Sequence, residues 1–180
     1  MFDLIFLTLT DAFFAAIAGL GFAYASSPPK RTLIYSAALA ALAHASRFMM
    51  LKSEIFSISI ATLFASFLVG ILGIFFAHKL KVPAEIIAFP ALLPMVPGIY
   101  AYKSILALFS FTNSSEISQK ITYLMLFFDN ALTTVAVSLA LGVGVSVTLL
   151  IFYEQSLMVT RGARCDLNTK QEKNNFKECI

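Results

Sequence analysis

Five ionisable side chains stand inside or beside long apolar runs: Asp11, His44, Arg47, Lys103 and Asp129. In hydrocarbon each costs about 3 kcal/mol unless it is paired or faces water, so each calls for a partner or a role. Asp11 shares an i+4 series with Ala15, Gly19 and Ala23. That stripe of small residues permits close helix approach, so the carboxylate faces protein and not lipid. It serves either as a proton- or substrate-coupling group, or as an acid near the outer interface that caps a neighbouring helix. His44 and Arg47 stand at i and i+3, on one face of their helix. An imidazole titrates near neutral pH, which suits proton coupling. The alternative is that His44 bonds a neighbouring backbone group while Arg47 reaches up to the headgroups.

The second concentration of chemistry is backbone. Pro90, Pro94 and Pro97-Gly98 interrupt an apolar segment running from about Pro83 to Phe111. Each proline removes a ladder donor, so the segment reads as two half-helices joined by a break at Pro94–Gly98. A discontinuous helix near the bilayer midplane points the free N–H groups of its second half, with their partial positive charge, at an anionic group. The candidate substrate-binding residues are therefore Pro94, Pro97, Gly98, Tyr100, Tyr102 and Lys103. Gly98 allows close backbone approach. Tyr100 or Tyr102 donates to a second polar group of the substrate, and Lys103, about a turn further on, adds positive field. The bland alternative is a structural kink. At ~1.5 Å per residue Pro94 lies ~20 Å from Lys81, His44 ~20 Å from Arg31, and Asp11 ~12 Å from Asp3. In a hydrocarbon core of ~30 Å these three levels nearly coincide.

The elements that must position these groups follow from composition. Of the 180 residues 59% are hydrophobic and 13% charged, and five basic and three acidic residues fall in the last 20 positions. The remainder cannot solvate a surface, and Ile55–Ala77 is free of charge for 23 residues, enough to cross a bilayer. The chain reads as an all-α integral membrane protein, because long uninterrupted apolar runs are not the alternating strands of an outer-membrane barrel. Five spans are expected: Leu4–Ala25, Thr32–Leu51, Ile55–Ala77, the broken Pro83–Phe111, and Ile117–Tyr153. The last is longer than the membrane, so it must protrude, bend or lie partly at the interface. Residues 1–153 form the transmembrane domain and 154–180 a polar, disordered cytoplasmic tail. The first segment has no basic residue before its apolar run and reads as a retained span, not a signal peptide.

In the fifth segment Asn130, Thr134, Ser138 and Gly142 form an i+4 row that winds round the helix, which predicts a helix–helix seam more than a straight pore lining. Lys30, Arg31, Lys79, Lys81, Arg161 and Arg164 fall on one side of a five-span topology, against Lys52 and Lys120 on the other. That bias puts the N-terminus outside and the C-terminus in the cytoplasm. The net charge of +3 speaks to this orientation and not to nucleic acid. No internal repeat is visible, and an odd number of spans cannot be halved, so any inverted repeat comes from a second polypeptide. Catalytic signatures are missing: Gly142-Val143-Gly144-Val145-Ser146 is not a GxSxG elbow, and neither HExxH nor GxGD occurs. Cys165 and Cys179 match neither a CxxC motif nor a zinc set and read as free thiols. No enzyme activity, cofactor or metal is expected.

The run Pro94-Met95-Val96-Pro97-Gly98-Ile99-Tyr100-Ala101-Tyr102, with Gly21-Phe22-Ala23 and His44-Ala45-Ser46-Arg47 before it, resembles the threonine/serine exporter family. The resemblance extends from about Gly21 to Phe152 and is to the C-terminal membrane half, which also exists as a short separate subunit. Ala43 and Ala45 stand where relatives are expected to carry glycine. The resemblance implies a bacterial inner-membrane efflux component for small carboxylates. These are threonine and serine in fused exporters and succinate-like dicarboxylates in split ones, where a companion membrane subunit of opposite topology supplies the other half. The rival class is a channel or structural membrane subunit without coupled transport, which would tolerate replacement of Asp11 and His44. Topology is directly testable. Single cysteines at Ser53 and Ser114 are expected to react with an impermeant thiol reagent from outside, and one at Ser27 is not; protection of both outer positions would remove the five-span arrangement.

Overall fold

The structure, a computed structural model, describes residues 2–152. The expected tail from Glu154, with both cysteines, lies outside them. Among the described residues every regular element is helical, as burial of backbone in lipid requires. Helices α1 (Phe2–Ala25), α2 (Lys30–Lys52) and α3 (Ile58–Leu80) are long and apolar enough to cross a membrane. Helix α4 (Ala84–Leu92) runs into a single 3-10 turn (Leu93–Met95) and meets α5 (Gly98–Asn113) at a bend of 47°. Helix α6 (Ile117–Ile151) is one unbroken helix of 35 residues. Five spans are reached when the bent pair counts as one.

Local chemistry sets the boundaries. Ser27 turns the chain with φ 49° before Pro28 and Pro29, whose fixed φ suits the entry to α2. The third span starts three residues later than its apolar run, because Ser57 accepts from the Ile60 amide and caps the helix, leaving Ile55 and Phe56 in the connection. It also runs past Ala77, taking His78 and Lys79 into a last turn whose carbonyl dipoles favour cations. Lys81 then adopts φ 55° while the Val82 amide reaches back to the Ala77 carbonyl at 3.2 Å, a Schellman-type stop before Pro83.

Packing is close because the contact stripes are small. On α1, Ala15, Gly19 and Ala23 are buried, and a Cβ on Gly19 would lie 2.6 Å from Ala40 of α2. The half-helix α4 packs on α1, α2 and α3, with Ala88 against Gly73. Leu39, Ala43, Ala65, Val69, Ile87 and Met95 fill the space between them. Helices α3 and α6 run in the same direction: Ser66 meets Gly144, and Gly70 meets Thr148 at the same offset. The Ser66 hydroxyl also donates to the Ala140 carbonyl at 3.1 Å.

Here the predicted α6 row departs from the observed seam. The buried line is Val137, Leu141, Gly144, Val145 and Thr148, whereas Ser138 and Gly142 are exposed; Asn130 is buried and Thr134 half-buried. The i+4 row drifts round the helix, and contact with α3 follows the phase at which Gly144 accepts Ser66. By the same register Ile58 of α3 lies beside Ala136, so ~28 Å of α6 overhangs the Ile58 end of α3. Against that overhang α5 packs, with Ser104 and Ala107 buried between the two helices. The excess length of the last span therefore resolves as an α5–α6 hairpin rising past the bundle.

The seam makes paired predictions. A methyl at Gly144 would strike Ser66, while one at Gly142 meets no atom within 4 Å. Gly144→Ala is expected to lower the thermal unfolding temperature of the detergent-solubilised chain by an overpacking cost of ~1–3 kcal/mol. Gly142→Ala is expected to leave it unchanged or raise it by up to ~1 kcal/mol of helix propensity. Equal responses would mean that the seam runs elsewhere.

Candidate functional site

The site begins as a deficit of backbone donors. In an unbroken helix the carbonyls of Leu93, Pro94 and Met95 would bond the amides four residues on, at Pro97, Gly98 and Ile99. Pro97 has no N–H, and the Leu93 carbonyl is recovered by the Val96 amide at 3.2 Å. The Gly98 amide turns back to the Val96 carbonyl at 2.8 Å, around a Pro97 held at φ −79°, ψ 58°. The first bond of α5 runs from Ala101 to Pro97 at 3.1 Å. Pro94 and Met95 are thus left with carbonyls that no backbone N–H among the described residues reaches, and Met95 is buried. An unmet buried acceptor costs ~1–3 kcal/mol.

Helix α2 supplies the missing donors. His44 Nε2 lies 3.3 Å from the Pro94 carbonyl, and Arg47 Nη1 donates to the Met95 carbonyl at 3.3 Å. One helical turn separates the two side chains, so they reach successive carbonyls of the break. These carbonyls end a half-helix, where the dipole favours cations. Helix α1 completes the cluster: Asp11 Oδ2 lies 3.0 Å from His44 Nδ1. The imidazole is 12% exposed and the carboxylate 34% exposed. Asp11 and Tyr100 both lie within electrostatic range of the Arg47 guanidinium. Across the break the amides of Ile99 and Tyr100 open α5 without a side-chain cap, and such amides favour an anion.

Three elements thereby bring together Asp11, His44 and Pro94, the levels that residue counting had aligned, and Arg47 with them. Asp11 lies in the middle third of α1 and His44 in that of α2, with Arg47 one turn nearer the α2 C-terminus. Tyr100, half-buried in the first turn of α5, borders them. Pro97 is buried, whereas Gly98 is exposed, with nothing within 4 Å of where its Cβ would stand. The Gly98 amide is used inside the chain, so the free donors begin at Ile99. Tyr102 and Lys103 are exposed on α5, and no bond joins them to the cluster. Asn130 turns inward, with Nδ2 on the Leu126 carbonyl at 2.6 Å, and Asp129 is exposed. Sequence reasoning offered His44 a neighbouring backbone group without identifying it and sent Arg47 to the headgroups; the partners are the Pro94 and Met95 carbonyls. Their signal was present: prolines three residues apart strip donors from the turn, and His44 and Arg47 repeat that turn's spacing.

The family model described as "Threonine/Serine exporter, ThrE" matches residues 11–151 of this chain. A 100-residue stretch, 56% of the chain, is 37% identical to an uncharacterized protein of Haemophilus influenzae and covers 33% of it. The match thus spans about a third of the length of this curated relative. No solved structure matches.

Because His44 joins Asp11 to the break, the two side chains should act as one unit. Asp11→Ala and His44→Ala are each expected to destabilise the chain, and the double variant to cost less than their sum by ~0.5–3 kcal/mol. Reversible denaturation in mixed micelles measures this; additive losses would mean that the pair does not form in the folded protein.

Proposed function

The chain belongs to the threonine/serine exporter family, and from that premise we propose that it is a membrane subunit of a secondary exporter of small carboxylate metabolites, threonine and serine or succinate-like dicarboxylates. It works in a bacterial inner membrane with a companion membrane subunit of opposite topology. The observation that carries this reading is the convergence of Asp11, His44 and Arg47 on the carbonyls of a helix broken midway through the bundle. Ionisable groups at that depth are costly, and discontinuous helices are where transporters hold cargo.

In this reading the first half-helix ends in carbonyls that hold the cationic side of the site, and the second begins with amides that receive the substrate carboxylate. Pro94 and Pro97 hold the break open, and Gly98 lets the substrate approach the backbone. Tyr100 donates to a second polar group, and Asp11, His44 and Arg47 couple transport to charge movement. Tyr102 and Lys103, exposed on α5, act from the open side, with Lys103 adding field. The companion closes that side, where Val96, Gly98 and Ile99 are exposed beside a part-exposed Asp11.

Counterflow of labelled carboxylates into liposomes holding the chain and its companion tests the function. Gly98→Val is informative because the chain itself has room for the added side chain. It is expected to abolish counterflow while leaving insertion and assembly intact, and Lys103→Gln to weaken apparent affinity. Normal transport by Gly98→Val would reduce the break to a kink. Equal rates from the chain without its companion would remove the two-subunit reading.

A further inference from the structure

The contacts of His44 constrain where protons can be. The Pro94 carbonyl only accepts, so the 3.3 Å contact at Nε2 requires a hydrogen there. An ionised Asp11 also only accepts, so the 3.0 Å contact at Nδ1 requires a second ring N–H, or else a proton on Asp11 that donates to Nδ1. The two assignments contain the same number of protons. Each holds one more than a neutral imidazole facing an ionised carboxylate. Remove that proton and one contact must fail: the Nε2–H tautomer sets a bare Nδ1 against Asp11, and the Nδ1–H tautomer sets a bare Nε2 against the Pro94 carbonyl.

The same proton changes the charge of the cluster. With it, Asp11 and His44 sum to zero and the Arg47 charge is unbalanced. Without it, the pair is an anion that offsets Arg47. Few other charges face this point. Helix α3 offers no titratable side chain from Ile58 to Ala77, α4 has only Glu85, ~14 Å below Pro94 along the helix, and α5 contributes the half-buried Tyr100 phenol, with Tyr102 and Lys103 exposed on its open side. Arg47 uses one donor on the Met95 carbonyl, and its other N–H groups have no protein acceptor among the described residues.

We infer that Asp11 and His44 form a one-proton site whose proton locks α1 and α2 to the helix break and creates, between Arg47 and the amides that open α5, the seat for one carboxylate. The inference rests on the exporter reading only for the choice of a carboxylate as the anion. Proton uptake from water adds one hydrogen to the Asp11–His44 pair, and release returns it. Carboxylate and proton then bind with positive linkage, each raising the affinity of the other by the same factor.

The chain has two histidines, so His78→Gln leaves His44 as the sole imidazole in the full chain. In lipid bilayers, nitrogen-15 and carbon-13 solid-state NMR reads both ring nitrogens, the Asp11 carboxyl and the Pro94 carbonyl across pH. At low pH the expected state has either two ring N–H groups, or one at Nε2 with a protonated Asp11. The Pro94 carbonyl shift should follow the same midpoint. Saturating succinate should raise that midpoint by about one pH unit for a tenfold preference for the protonated cluster. Arg47→Gln should abolish the succinate effect and keep a titration. A ring with one N–H beside an ionised Asp11 at every pH overturns the proton site. A midpoint that succinate leaves unmoved, or that chloride at equal ionic strength moves as far, overturns the carboxylate seat. If the titration behaves as expected but the reconstituted pair exports no carboxylate, the exporter reading fails and the proton site stands. The reverse pattern removes the proton site alone.

Discussion

Two carbonyls organise this molecule. Proline chemistry at Pro94 and Pro97 leaves Pro94 and Met95 without backbone donors in a region where water is scarce. A membrane protein can keep such a break only if side chains meet the deficit. His44 and Arg47 do so from α2, and Asp11 holds His44 from α1. The half-helix α4 is consequently packed by three helices, whereas α5, past the break, rests chiefly on α6. The ionisable groups and the irregular backbone are two sides of one arrangement, since neither would be tolerable at this depth without the other.

The small residues serve that arrangement. Gly19 opposite Ala40 draws α1 onto α2 closely enough for a short carboxylate to reach the His44 ring. Gly73 beside Ala88 does the same for α3 and α4. In lipid there is little hydrophobic force between helices, so close backbone approach and polar contacts carry the association. Ser66, donating to the Ala140 carbonyl, adds such a contact on the α3–α6 seam. Ser36, fully buried, has a hydroxyl without a partner among the described residues, and nothing there explains it.

Much of this was legible before any coordinates. Apolar runs marked the spans, prolines marked the break, and counting ~1.5 Å per residue put Asp11, His44 and Pro94 at one depth. The spacing of His44 and Arg47 put both on one face. What stayed hidden was phase and partner. From Ala131 to Ile151 helix α6 is apolar or small on every side, so periodicity offered several stripes, and the row through Ser138 and Gly142 was as regular as the one through Gly144. Only the opposing surface decides, because Gly144 fits Ser66 and Gly70 fits Thr148. Phase was hidden for Lys103 as well: its place in the sequence is one turn from the break, and its position on the wheel of α5 is exposed.

The continuity of α6 gives the hairpin a mechanical meaning. A helix without proline resists bending over its length, and from Gly144 to Ile117 this one extends ~40 Å. With its seam as fulcrum, a change of ~5° in the α3–α6 crossing angle carries the Ile117 end through ~3.5 Å at that radius. The α5 helix rides on the long arm, and its other end is the break. Motion of the hairpin is therefore geared down to sub-turn displacements at Gly98, so a partner that grips the far end holds a lever on the gap between the two half-helices.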